Sequence, residues 1–423
     1  MCGIYGKLSS QQIDVSIAET AADRLGHRGP DERKHRRSLL IVVPRLVSYL
    51  GFLRELCAAL MASGMEVHVA CSPAPLGDEE VAAPADGVHL HHIEFPRGMN
   101  PVAHLRAARA LNRLVEMLRP DIVHAHFSAT ILTTALARTR CWPVAHATFH
   151  GVSFLAMSGW KAAIMRASET WAAQRFDKIW VLSDDDRAGL RAASPRASVE
   201  TLPGFGMGCD LARFEPVPAA KRDALRGALG IEPAQVVFAF VGRFLEFKGF
   251  ALTVRAFLQL AAINPAARLL LIGCRDRLHR TGLSAEEERA MKGSRQIIDI
   301  GFRNDVERCL PAADVLVFPS RREGMPVCAM EALAAGVPVI TCDARGCREV
   351  VRDGVDGLVL RQRNVDSLCA AMELACDQRL RRQWAARAAA GRERFDRNRF
   401  IVEQVRIYET CVPAACVGAL LAI

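Results

Sequence analysis

Paired cysteines are missing: the 423-residue chain has fourteen, but no two stand as CxxC. That scatter argues against a structural zinc site and a disulfide framework, and it suits reduced thiols in a cytosolic protein. Aromatic residues make up only 6%, and no cluster combines them with basic side chains, so a nucleic-acid partner is not expected. The N-terminal MCGIYGKLSSQQ has no basic region followed by an apolar run and does not read as a signal peptide. The run SLLIVVPRLVSYLGFL (38–53) follows the basic RKHRR (33–37), but it is too short to span a bilayer and Pro44 and Arg45 interrupt it. Short repeats and low-complexity segments are absent.

What remains is the composition of a folded protein, 51% apolar and 24% charged, long enough for two or three domains. The net charge of +9 is unevenly spread. Basic and acidic residues number 7 and 5 in residues 1–37, 17 and 17 in 38–215, and 31 and 24 in 216–423. A bound anionic small molecule or an anionic membrane surface fits that distribution, and so do solvated Arg-rich helices.

From residue 39 onward, short β-branched runs alternate with amphipathic stretches. Strands are expected at 39–43, 66–71, 87–93, 121–126, 144–149 and 178–182, with helices at 52–64, 102–118 and 158–175. The rhythm breaks at PGFGMGCDLARFEPVPAA (203–220), which reads as a linker. It restarts with strands at 236–242, 268–273, 297–301, 314–319, 337–341 and 357–360, and helices near 249–262, 326–335 and 366–376. Residues 378–410 read as helical. The fold class is therefore α/β, two successive Rossmann-like domains with doubly wound parallel sheets.

The strongest chemical signal is REGMPVCAMEALAAGVPVI (322–340), where Glu323 and Glu331 frame a turn containing Gly324 and Pro326. The turn follows a buried strand and opens a helix, whose N-terminus offers backbone N–H groups and a positive dipole end to an anion. In FVGRFLEFKG (240–249), Arg243 and Lys248 follow another strand and suit a diphosphate clamp. SDDDR (183–187) contains Asp-x-Asp and invites a metal-dependent reading, but Ser183 and Asp184 are placed to cap a helix. HAH (124–126) ends a strand and needs no metal.

The order GR-(x)4-KG, GF-(x)2-DV, PS-(x)2-EG-(x)6-E-(x)4-G-x-PVI resembles the retaining glycosyltransferases of family 4, over roughly residues 38–410. The resemblance implies the GT-B fold, with two Rossmann-like domains facing across a cleft. It divides the chain into an N-terminal acceptor domain (38–215), a nucleotide-sugar-binding domain (216–395) and a C-terminal helix with an apolar tail (396–423). Carried over by position, it implies that Arg243 and Lys248 contact the diphosphate, and that Glu323 with Gly324, Met325 and Pro326 holds the donor sugar. Glu331 would bind the ribose, and the FRNDV loop, with Arg303, Asp305 and Val306, would touch the base. His150, in ATFHG (147–151), matches a donor-sugar contact. The family's glycine-rich acceptor loop is represented only by Gly51, and Cys209 departs mildly from the interdomain pattern in GMGCDLARF (206–214).

The implied activity is transfer of a sugar, from a UDP-sugar by expectation, to an acceptor hydroxyl with retention. No metal or other cofactor is expected. The expected acceptor is a bacterial surface glycan or lipid-linked glycan, and the expected location is the cytoplasm, with peripheral contact to the anionic inner face of the plasma membrane. The helix HLRAARALNRLVEMLR (104–119) and the tail VPAACVGALLAI (412–423) are the candidate membrane contacts. A second resemblance covers only residues 1–33: MCGIYG (1–6) and HRGPDE (27–32) resemble the start of a class II glutamine amidotransferase, with Cys2 as the N-terminal nucleophile. Residues 1–37 are read as a vestigial fragment of such a domain. The alternatives are thus an amidotransferase-related protein or a non-catalytic nucleotide-sugar-binding scaffold.

Overall fold

A strand covered on both faces needs an unbroken apolar run, and such runs build both sheets. The computed structural model describes residues 37–73, 87–276 and 279–411. Strands β1 (Ser38–Arg45), β2 (Glu66–Ser72), β3 (His89–His92), β4 (Ile122–His126), β5 (Val144–Phe149), β6 (Lys178–Val181) and β7 (Val199–Thr201) form one sheet. Its order is β3-β2-β1-β4-β5-β6-β7, and all neighbours are parallel. The second sheet contains β8 (Val236–Val241), β9 (Ala267–Ile272), β10 (Ile297–Asp299), β11 (Val315–Phe318), β12 (Val339–Cys342) and β13 (Gly357–Leu360). It is also fully parallel, in the order β10-β9-β8-β11-β12-β13. Each expected strand is found with its ends shifted by two residues or fewer, and only β7 is additional. Leu39–Val43 and all of β8 are buried, and each sheet lies within its own apolar core.

Helices begin where a polar cap meets an apolar stripe. Asn100 Oδ1 accepts from the N–H groups of Val102 and Ala103 at 3.1 and 3.2 Å and starts helix Pro101–Leu118. Ser183 Oγ likewise accepts from Asp186 N at 3.2 Å and starts helix Asp184–Ala193. The helix expected over 52–64 is found as Arg54–Ala62, and a further short helix, Leu46–Phe52, precedes it, the two meeting at the buried Leu53. Gly51 therefore lies inside a helix, where a glycine-rich loop was expected.

Two compact units make up the described chain. Among the described residues, one unit is Gly204–Asn398 and the other combines residues 37–203 with residues 399–411. GMGCDLARF (206–214) is built into the second unit and is no loose linker. Cys209 N donates to Phe395 O at 2.8 Å, Arg397 N donates to Cys209 O at 3.1 Å, and Phe214 is buried. Gly208 has φ +61°, and a Cβ there would stand 2.6 Å from Phe395 O. The helix Arg397–Cys411 returns to the first unit, where the buried Tyr408 hydroxyl lies 2.5 Å from His124 Nδ1. Arg37 also donates to Glu409 O at 2.6 Å. Cys2 with its amidotransferase-like motifs, and the tail 412–423, lie outside the described residues.

Candidate active site

In an open parallel sheet, ligands bind beyond the carboxyl ends of the strands where the strand order reverses. In the second unit that point lies between β8 and β11, paired through Val315↔Phe238 and Leu316↔Ala239. The chain leaving β8 carries Arg243 and Lys248, and the chain leaving β11 carries Ser320 and Glu323. Their side chains meet. Lys248 Nζ donates to Glu323 Oε1 at 2.9 Å, and Ser320 Oγ donates to the same oxygen at 3.0 Å. Lys248 is fully buried, with Nζ 5.2 Å from the centre of the Phe318 ring. Burial alone would raise the Glu323 pKa. The adjacent Lys248 ammonium and the bonds from Lys248 and Ser320 outweigh it, so the pKa lies below its ordinary value.

Arg243 pairs with Asp276 in the loop after β9, and Asp276 also bonds His279 Nδ1 at 2.8 Å. Gly324, Met325 and Pro326 lead directly into helix Val327–Ala334, with Pro326 as its extended N-cap residue. Glu331 lies in the second turn of that helix and is only 3% exposed. Arg303 grips Asp305 with two near-parallel bonds of 2.8 and 2.7 Å on the surface. Val306 begins the short helix Val306–Cys309 and is buried in the core, so its side chain is a packing residue. Thus Lys248 and Glu323 are brought into contact, with Gly324, Met325 and Pro326 adjoining, while Arg243 and Arg303 are each engaged with a separate carboxylate.

Two features of this corner escaped the sequence reading. Ser320 orients Glu323, although the PS of the motif was its visible trace. Gly346, after β12, supports the turn from behind: its φ is +81°, and a Cβ there would stand 2.5 Å from Glu323 O, too close to fit. Its signal was a glycine four residues past a buried strand, in DARGC.

The first unit reverses its strand order between β1 and β4. Beyond β4 and β5, His126 Nδ1 and His150 Nε2 lie 3.2 Å apart. The Phe127 ring stacks on His150 at 4.0 Å, and Phe127 itself holds a left-handed φ of 71°. Behind them, His124 bonds Thr148 Oγ1 at 2.8 Å and stacks on His126 at 4.2 Å. Desolvation lowers all four imidazole pKa values of this group: His124 and His126 fall well below the ordinary value, His146 to about 4 and His150 to about 3. These rings are neutral at physiological pH. The SDDDR motif is occupied structurally: Asp186 is buried and accepts from Val152 N at 3.2 Å, and Asp184 accepts from Thr201 Oγ1 at 2.7 Å. Among the described residues, no group of three or more His, Cys, Asp or Glu is arranged to hold a metal ion.

Residues 221–391 match the family described as "Glycosyl transferases group 1", and residues 52–204 match "Glycosyl transferase 4-like domain". A D-inositol 3-phosphate glycosyltransferase from Actinosynnema mirum is 30% identical over 305 residues, 66% of this chain and 70% of that relative. The chain belongs to the group 1 glycosyltransferases. A second relative is the UDP-Gal:alpha-D-GlcNAc-diphosphoundecaprenol alpha-1,3-galactosyltransferase of Escherichia coli, 26% identical over 67% of this chain and 73% of its own. Among solved structures, the sucrose-phosphate synthase of Thermosynechococcus elongatus superposes with a TM-score of 0.72 at 20% identity, covering 88% of this chain and 98% of that one. The glycosyltransferase fold is GT-B. The two family matches begin at residue 52 and take in neither MCGIYG nor HRGPDE.

Proposed function

We propose that this glycosyltransferase moves a sugar from a UDP-sugar to a hydroxyl of a lipid-linked glycan, with retention and without a metal ion. The observation that carries the reading is the buried Lys248–Glu323–Ser320 cluster at the strand-order reversal. An ionised Glu323 only accepts hydrogen bonds, which suits it to gripping the hydroxyls of a donor sugar. The departing diphosphate develops charge beside Lys248, Arg243 and the N-terminus of helix Val327–Ala334, and these stabilise it without reorganisation. Glu331 holds the ribose and the Arg303–Asp305 loop meets the base, while His150 keeps the donor-sugar role that the family resemblance implies. With no side-chain nucleophile assigned, the acceptor hydroxyl attacks on the face the diphosphate leaves.

The lipid-linked acceptor is supported by the diphosphoundecaprenol substrate in the name of the E. coli relative. On this reading the enzyme works in the cytoplasm, at the inner face of the plasma membrane. Thermal-shift measurements against UDP-, GDP- and ADP-sugars test the donor, because a ligand that binds only the folded state stabilises it. UDP-sugars alone should raise Tm, and transfer to a polyprenyl-diphosphate sugar in the presence of a chelator should give a product of unchanged anomeric configuration. Tight binding with no turnover would make the chain a nucleotide-sugar scaffold. An inverted product, or activity abolished by the chelator and restored by manganese, would overturn the mechanism.

A further inference from the structure

Helix Gly159–Ala173 has its polarity reversed relative to an ordinary surface helix. Its one acid, Glu169, is 3% exposed and faces inward, where it accepts from Ser128 Oγ at 2.6 Å, Ser153 N at 3.1 Å and Phe154 N at 3.0 Å. Outward stand Trp160, Ile164 and Trp171, exposed by 70%, 47% and 40%. At 100° per residue these positions fall within about 40° of one another, in a stripe roughly 16 Å long. Leu155 and Met157, each 39% exposed, continue the apolar surface into the preceding turn. Two of the chain's five tryptophans thus lie on one solvent-facing stripe.

The flanking charges are of one sign. Lys161, Arg166 and Arg175 are exposed, with Lys161 5.6 Å from the Trp160 ring and Arg175 4.8 Å from the Trp171 ring. The nearby acids are engaged elsewhere: Asp177 pairs with Arg138 at 2.8 Å, and Asp184 with Arg187 at 3.0 Å. Indole rings beside cations, with no outward acid on the helix, match the chemistry of an anionic lipid surface, where rings settle among headgroups and cations meet phosphates. Helix Pro101–Leu118, favoured by the sequence for this role, differs. Its outward side carries Arg106, Arg109 and Arg113 beside the exposed Val102, Leu105 and Met117, but it also presents the acid Glu116 and no aromatic residue.

We infer that helix Gly159–Ala173 docks this enzyme peripherally on an anionic phospholipid bilayer, through Trp160, Ile164 and Trp171. The inference deepens the reading of a lipid-linked acceptor and rests on it for its purpose. Its test, however, uses neither donor nor acceptor, so the two fail separately.

The experiment is cosedimentation of the full chain with vesicles of phosphatidylcholine alone, or of equal parts phosphatidylcholine and phosphatidylglycerol. The wild type should pellet with the anionic vesicles, and the bound fraction should fall as salt rises and the Debye length drops below about 10 Å. W160S/I164S/W171S should weaken that binding by on the order of tenfold or more, still unfold cooperatively with at most a modest fall in Tm, and transfer sugar to a soluble acceptor at an unchanged rate. Met117→Ser, on the Arg-lined helix, should bind as the wild type does. Failure of the wild type to bind anionic vesicles, or undiminished binding by the triple variant, would overturn the inference. A dimer in sedimentation equilibrium that the triple variant converts to monomer would instead assign the stripe to a second copy.

Discussion

The two units bury polar side chains in opposite ways. In the second, Lys248 and Glu323 are both charged and compensate each other, with Ser320 filling a further bond to the carboxylate. In the first, His124, His126, His146 and His150 cluster without a carboxylate in contact and remain neutral. A charged pair tolerates burial only while both partners are present, whereas a neutral imidazole tolerates it only while no proton arrives. The first arrangement is sensitive to mutation and the second to acid.

The sharpest test of that contrast is the ion pair itself. Lys248→Ala or Glu323→Ala should lower turnover on the order of 100-fold or more by removing a preorganised contact to the donor. Each also takes the directly bonded opposite charge away from a buried one, at a cost of about 3–5 kcal/mol in chemical denaturation. The double variant Lys248→Met/Glu323→Gln should recover most of the stability and none of the turnover. A single variant that denatures like the wild type would show that the pair is not a compensated buried one.

Acid should act first on the imidazole cluster. The folded-state pKa values lie below the unfolded value of 6.5, so on acidification the unfolded chain takes up protons first. Stability is flat above pH 6.5, falls as pH drops toward about 4 for His146 and about 3 for His150, and levels off below. Between pH 6.5 and 5, His146 alone should account for about 2 kcal/mol. Glu323 has a lowered pKa and stays ionised throughout that range, so its pair persists. Hydrogen exchange at pH 7 and pH 5 should show protection lost in β4 and β5 while β8 and β11 keep theirs. Equal loss in both sheets would remove the contrast.

Smaller effects sharpen the contrast within the second unit. Gly346→Ala should cost on the order of 1–3 kcal/mol, because its φ of +81° and the close Glu323 carbonyl oppose a Cβ. Activity should fall with it, measured as kcat/KM against Tm, since the displaced backbone carries Glu323. Arg303→Ala should change stability by less than about 1 kcal/mol, because its pair with Asp305 is a surface one. Its effect should appear in the KM for the donor and leave kcat unchanged.

Both sheets were readable from residues because strands buried on two faces write themselves as continuous runs such as LLIVV (39–43) and VVFAFV (236–241). Helix Ser128–Ala137 was not readable. SATILTTALA is buried nearly all round, so no polar face marks a 3.6-residue period, and Thr133 bonds back to Ala129 O at 3.0 Å. The candidate corner was legible at Arg243, Lys248 and Glu323 because a charge after a buried strand stands out. That Lys248 and Glu323 meet, 75 residues apart, depends on strand order, which no local pattern encodes. The return of Tyr408 to His124 spans 284 residues and left even less trace.

That return sets an order of events on the ribosome. The second unit is one continuous stretch, Gly204–Asn398, whereas the first lacks a core aromatic until Tyr408 has been made. At about 5–20 residues per second, the roughly 200 intervening residues take on the order of 10–40 s to appear. Through that interval the nascent first unit waits with the His124 imidazole short of its phenolic partner, while the later-synthesised unit gains the last strand of its own sheet at Leu360, before Tyr408 is made. The enzyme is therefore completed from the inside of its sequence outward.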